Sequence, residues 1–340
     1  MGALRVFHIT QWLYEGPVAE PRHPRPQVGA GTIFRQKGLC LMDTAYKGGI
    51  AATVAVVLWG LLPIYWRQIA HVPAYEILCH RIIWALLVTA ALLGGSRQWG
   101  LVREALKNRK SRWLLLLSGM VIGCNWLIYI WSVNHGYVLQ CSLGYFINPL
   151  MYVCLGALFF QDKLRPAQWF SVGIATAGVL YQVLLQGQVP WIGLGLACSF
   201  TVYGCIRKIV AVESLPGLFV ETSFLAVPAG AFLIWTETHG QGTFIGGGLR
   251  TSLFLAGSGV VTSVPLLWFV QGARALSMVT TGLLQYIAPS IQFILGYWVY
   301  KETFTEPQLV TFGAIWIALA LYTADKLRQH RSKIQTLGNP

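Results

Sequence analysis

SLGYFINPLMYVCLG (142–156) and GLLQYIAPSIQFILG (282–296) are two versions of one pattern, and their relation decides the fold. With the chain shifted by 140 residues, Leu143, Ile147, Pro149, Leu155 and Gly156 fall on Leu283, Ile287, Pro289, Leu295 and Gly296. In the same gapless register Asp162 meets Glu302, Gln168 meets Gln308 and Gly173 meets Gly313. Apolar sequence matches itself easily, but a proline, glycines and an acidic loop residue in one register do not. The chain therefore reads as two related halves.

Working outward, each copy lies inside an apolar run long enough to cross a membrane, which takes about 20 helical residues. Such runs occur near 48–67, 74–94, 113–134, 138–160, 167–186, 190–206, 216–236, 251–272, 277–300 and 307–324. In lipid each backbone amide must be satisfied within its own segment, so the spans are expected to be helices. A β-barrel would show alternating segments of about ten residues instead. The expected fold is an all-α integral membrane protein of ten transmembrane helices, in two five-helix repeats at 45–186 and 187–324. Five is odd, so the second repeat enters the membrane with opposite polarity. Inverted repeats characterise secondary transporters, which work by alternating access around a central site.

Composition agrees. Of 340 residues, 55% are hydrophobic and 11% charged, against about 25% charged in soluble domains. The net charge of +13 would suggest nucleic acid in a soluble protein. Here the basic residues sit between spans, with six at 97–112 and a basic tail at 325–340. By the positive-inside rule both termini are expected in the cytoplasm, and no nucleic-acid partner is expected. The cysteines form no metal-binding spacing, and neither metal nor cofactor is expected. Residues 1–41 hold four prolines and five basic residues. Two explanations stay open for them: a start at Met42, or a disordered cytoplasmic extension.

Charged residues inside hydrocarbon are costly and thus functional candidates. The second span holds Glu76, His80 and Arg81, the first two sharing a helical face at a spacing of four. The seventh holds Glu221. Glu76, His80 and Glu221 are the proton-coupling candidates. Glu76 and Glu221 are expected near opposite membrane surfaces, serving opposite gates. The plainer alternatives are a Glu76–Arg81 structural pair and a Glu221 ion pair with Arg207 or Lys208. Arg81, Asn125, Trp126, Tyr145, Asn148, Gln285 and Tyr286 are the substrate-binding candidates near mid-membrane. Pro149 and Pro289 are expected to break their helices there, since proline removes one backbone bond. No HExxH, GxSxG or phosphate-loop pattern occurs, so no enzyme is expected. An intramembrane enzyme using Glu76 and His80, or a membrane scaffold, is the remote alternative.

IGCNWLIYIWSVNHG (122–136), YEILCHRIIWA (75–85), YGCIRKIVAVE (203–213) and GLLQYIAP (282–289), with the stretch at 142–156, resemble the RarD-type branch of the EamA drug/metabolite transporters. The resemblance covers roughly 45–324 and leaves 1–41 outside, which favours Met42 as the start. It implies a permease of the bacterial inner membrane with a central cavity. The family's Arg-x3-Ala pattern on the second helix matches Arg81 and Ala85. The second half has no such arginine in ETSFLAVPAG (221–230), so the symmetry is broken among ionisable residues. The combined expectation is a secondary transporter that exchanges a small organic solute against protons. An uncoupled exchanger or uniporter is the alternative, and a homodimer is left open.

Overall fold

Five prolines mark where helices start. Pro73, Pro166, Pro190, Pro216 and Pro307 each stand at or within the first turn of a helix, where the missing N–H is not needed. The computed structural model describes residues 30–160, 165–186, 189–275 and 284–338, and their regular structure is helical throughout. In chain order the helices are α1 (Ala30–Arg67), α2 (Ala74–Ser96), α3 (Trp99–Lys107), α4 (Arg109–Asn134), α5 (Val138–Phe160) and α6 (Pro166–Gln186). There follow α7 (Trp191–Ile209), α8 (Ser214–Thr238), α9 (Thr243–Gly246), α10 (Gly248–Ala275), α11 (Ile287–Ile294) and α12 (Glu306–Gly338).

Every expected span has a helix on it, the ninth being described from 284 onward. Among the described residues seven helices are long and apolar enough to cross a membrane, and two shorter apolar ones lie at Trp191–Arg207 and Ile287–Val299. Large apolar side chains face outward from several spans, Leu184, Val227 and Ile234 among them. In water such a surface would drive association; in a bilayer it meets lipid tails.

The stretch 95–112 reads as a loop, yet α3 lies within it. Val102 and Ala105, three apart, are buried on one face, and Trp99 packs edge-on against Phe219 with ring centroids 5.2 Å apart. This short amphipathic helix leaves Arg103 and Lys107 in solvent. The ninth span is not one α-helix: the chain turns at Gln285 and Tyr286, runs as α11, then widens to a π-helical turn over Leu295–Val299. Of the 1–41 extension, 1–29 lie outside the described residues, and 30–41 are helical as the start of α1. The tail at 325–340 is helical to Gly338.

Packing within 44–340 follows a regular scheme. The second, fourth and fifth spans each lie against their counterparts in the other half: α2 on α8, α5 on α11 and α6 on α12. The pair α2–α8 is antiparallel, Tyr75 meeting Phe232 near one end while Leu93 and Val220 share an apolar cluster at the other. Small residues allow the closest crossings. A Cβ at Gly119 would stand 3.2 Å from the Glu221 carbonyl oxygen, and one at Gly123 would stand 3.3 Å from Leu225, so these two glycines let α4 seat on α8.

Candidate functional site

Arg81 owes its position to the buried stripe of α2. Ile77, Arg81, Ala85, Thr89 and Leu93 recur every fourth residue, and all are buried. The stripe faces the bundle interior, so Arg81 must too. It is 5% exposed. Its guanidinium carbon lies 4.2 Å from the centre of the Trp126 ring and 5.2 Å from that of Trp66, a cation–π contact on each. Its Nε and Nη1 have no hydrogen-bond partner, and no carboxylate pairs with it among the described residues.

Arg81 lines a central cavity of about 150 Å³. All seven substrate-binding candidates meet there. Arg81 comes from α2, Asn125 and Trp126 from α4, Tyr145 and Asn148 from α5, and Gln285 and Tyr286 from the turn before α11. Pro289 lines it as well, as do Trp59 of α1 and Tyr203 of α7. Helices of both expected halves therefore contribute walls. Asn125 is fixed rather than free, its amide donating to Leu196 O at 3.1 Å and Ser199 Oγ at 2.8 Å. Asn148 is 6% exposed and its Oδ1 has no donor.

The two prolines differ. Backbone helicity continues through Pro149 in α5, while the chain is non-helical at 285–286, just before Pro289. Pro289 thus stands in the first turn of a new helix, where it costs no bond. Ser142 Oγ donates to the Pro289 carbonyl at 2.8 Å, tying α5 to α11. Lone prolines do not predict this, because neighbours decide whether freed backbone groups are satisfied.

The proton-coupling candidates lie outside the cavity wall. Glu76 is 2% exposed and accepts from the backbone N and hydroxyl of Thr243 at 2.7 and 2.8 Å. His80 stacks on Phe244 with centroids 4.9 Å apart. Sharing a face, both residues meet the 243–244 segment instead of the cavity. Glu221, 1% exposed, accepts from Ser118 Oγ at 2.5 Å and from the Tyr203 hydroxyl at 3.4 Å, with Arg207 Nη1 at 3.6 Å. Tyr203 also lines the cavity, so this cluster adjoins it. Glu76 and Glu221 do stand at opposite ends of the α2–α8 pair.

Two residues in these sites carried no expected role. Gln292 lines the cavity and donates to Trp59 O at 3.3 Å and Tyr129 Oη at 3.2 Å. It follows Gln285 by seven, two helical turns, and that spacing of glutamines in an apolar run was the available signal. Glu302, the repeat mate of Asp162, accepts from Val138 N and Leu139 N at 2.8 Å each. It thereby caps α5, a favoured place for a carboxylate.

An EamA-like transporter family model matches residues 46–184. An "Uncharacterized transporter" of Vibrio cholerae is 41% identical over 284 residues, 84% of this chain and 94% of its own. "Protein RarD" of Salmonella typhi is 42% identical over 288 residues, 84% of this chain and 98% of its own. A crystal structure 18% identical in sequence shares the fold, with a TM-score of 0.50 over 81% of this chain and 96% of that one. With this likeness spanning nearly the whole of its relatives, the chain belongs to the RarD-type branch of the EamA-like transporter family and is a multi-pass membrane transporter.

Proposed function

We propose that the protein is a secondary transporter of a small organic solute, moving it through the central cavity by alternating access with proton coupling. One observation supports this reading most: all seven substrate-binding candidates, polar or aromatic and drawn from several segments of both halves, line one cavity inside a lipid-facing bundle. A packing core would fill that space with aliphatic side chains. The two halves rock about the paired helices α2–α8, α5–α11 and α6–α12, in the bacterial inner membrane, with both termini cytoplasmic.

Glu221 is the proton carrier this arrangement favours. It is the one carboxylate candidate whose bonding partner, Tyr203, also touches the cavity. Protonation would release Arg207 and Ser118, loosening α8 from α4 and α7. Glu76 and His80 face the 243–244 segment and are weaker candidates.

The test uses proteoliposomes enclosing a pH-sensitive dye, with an imposed pH gradient and solutes added singly. Solute-dependent collapse of the gradient that Glu221→Gln abolishes supports coupling through this residue. A second reading rests on the ion pair of Glu221 with Arg207, which a structural role explains equally. In that case transport is uncoupled, and Glu221→Gln/Arg207→Gln recovers part of what Glu221→Gln loses. Retained collapse in Glu221→Gln eliminates the carrier assignment.

A further inference from the structure

We propose that the central cavity is a site for an organic anion: a small solute with a carboxylate and a flat apolar body, held by Arg81. This rests on the reading of the cavity as the transport site, and it names the substrate class.

Arg81 is the one charged side chain among the described residues that line the cavity. Three carboxylates that could have neutralised it are committed elsewhere. Glu76 is bonded to Thr243, Glu221 to Ser118 beside Arg207, and Glu302 to the start of α5. An arginine that is 5% exposed, with two guanidinium nitrogens lacking acceptors, is an expensive arrangement in a membrane interior. The rings of Trp126 and Trp66 offset part of that cost through the ring faces. They accept no N–H bond of carboxylate strength, so the donor capacity remains unfilled. An anion entering the cavity would fill it with charge-assisted hydrogen bonds.

The other walls fix the remaining chemistry. Trp59, Trp126, Tyr145 and Tyr286 present rings to the same space, which suits a flat apolar body. Asn148 Oδ1 and Gln292 Oε1 lack donors and would accept from a hydroxyl or N–H on the solute. A volume of about 150 Å³ resembles that of cavities that admit a benzene-sized molecule. A cation is disfavoured, because it would face Arg81 with no carboxylate among the described lining residues to offset the repulsion.

The experiment titrates purified protein in detergent with benzoate, 4-hydroxybenzoate, benzamide and benzylamine, reading tryptophan fluorescence from the cavity rings. The expected result is saturable binding of both carboxylates, with benzamide and benzylamine at least tenfold weaker. Arg81→Gln abolishes that preference and Arg81→Lys keeps part of it. Should Arg81→Gln fail to fold, the contrast between benzoate and its neutral isostere benzamide in the unaltered protein still decides. Equal binding of benzoate and benzamide, or binding of none of the four, overturns the assignment. Counterflow in proteoliposomes separates this from the transport reading. If benzamide crosses as readily as benzoate, the cavity transports but is not an anion site. If benzoate binds through Arg81 and no solute crosses, the anion site stands and the transport reading falls.

Discussion

Glu76 and Arg81 stand five positions apart on one helix and meet different worlds. Five residues turn the chain through about 500°, so the two side chains leave α2 some 140° apart. One reaches Thr243 at the bundle's end, and the other reaches the cavity. Glu302 shows residue-scale electrostatics outside the spans. It lies in the segment joining α11 to α12 and touches Arg67, whose guanidinium also sits 4.0 Å from the centre of the Tyr300 ring. Burial pushes its carboxyl above the ordinary 4.5, outweighing the two backbone N–H donors and Arg67 that pull it down. A raised carboxyl pKa means the folded chain binds this proton more tightly than the unfolded one. The stability so gained is complete below 4.5 and disappears as pH rises through the folded value. Glu302→Gln keeps an oxygen for the α5 backbone and removes the titration. Its melting temperature in detergent should therefore vary less, as pH rises from about 4.5, than that of the unaltered protein. An unchanged pH slope would show that Glu302 does not set it.

At the scale of elements, close helix crossings hold the cavity in shape. Gly144 of α5 meets Gly193 of α7, where a Cβ would stand 2.6 Å from the Gly193 carbonyl oxygen and 3.0 Å from its Cα. Both neighbours are backbone, so no rotamer change can relieve the clash. Gly144→Ala must push α5 from α7, at a cost of about 1–3 kcal/mol. Because Tyr145 follows directly and lines the cavity, solute binding should weaken along with the melting temperature. A variant that melts normally would show that the crossing has slack. The short helix α3 teaches the converse. Its basic residues suggested a solvated loop, but Trp99, Val102 and Ala105 supplied enough apolar face to fold it against α8.

At the scale of the molecule, the lysine and arginine bias sets an orientation that labelling can check. In a cysteine-free background, Gln241→Cys should react with a membrane-impermeant maleimide in intact cells. Lys107→Cys should react only after permeabilisation; both positions are exposed. The reverse pattern would invert the proposed topology and place Glu221, not Glu76, near the outer surface. The same scale shows how the repeat is used. The α2–α8, α5–α11 and α6–α12 pairings are those that a two-fold relation between the halves would give. The charged residues do not obey it, because Arg81 has no counterpart in α8.

By itself the sequence determined the membrane setting, the positions of the long apolar helices and the list of polar residues within them. These follow from apolar run length and from the rarity of charge in hydrocarbon, both local properties of the chain. Asn125, Asn148, Gln285 and Arg81 were legible for that reason. Only the tertiary structure decided which of them share a cavity, and which acidic residues are already spent. Thr243 meets Glu76 from 167 positions away, Ser118 meets Glu221 from 103, and Glu302 meets Val138 from 164. Such partners depend on each helix's rotation and depth against its neighbours. Side-chain packing across the whole bundle fixes those two quantities, and periodicity along one helix does not.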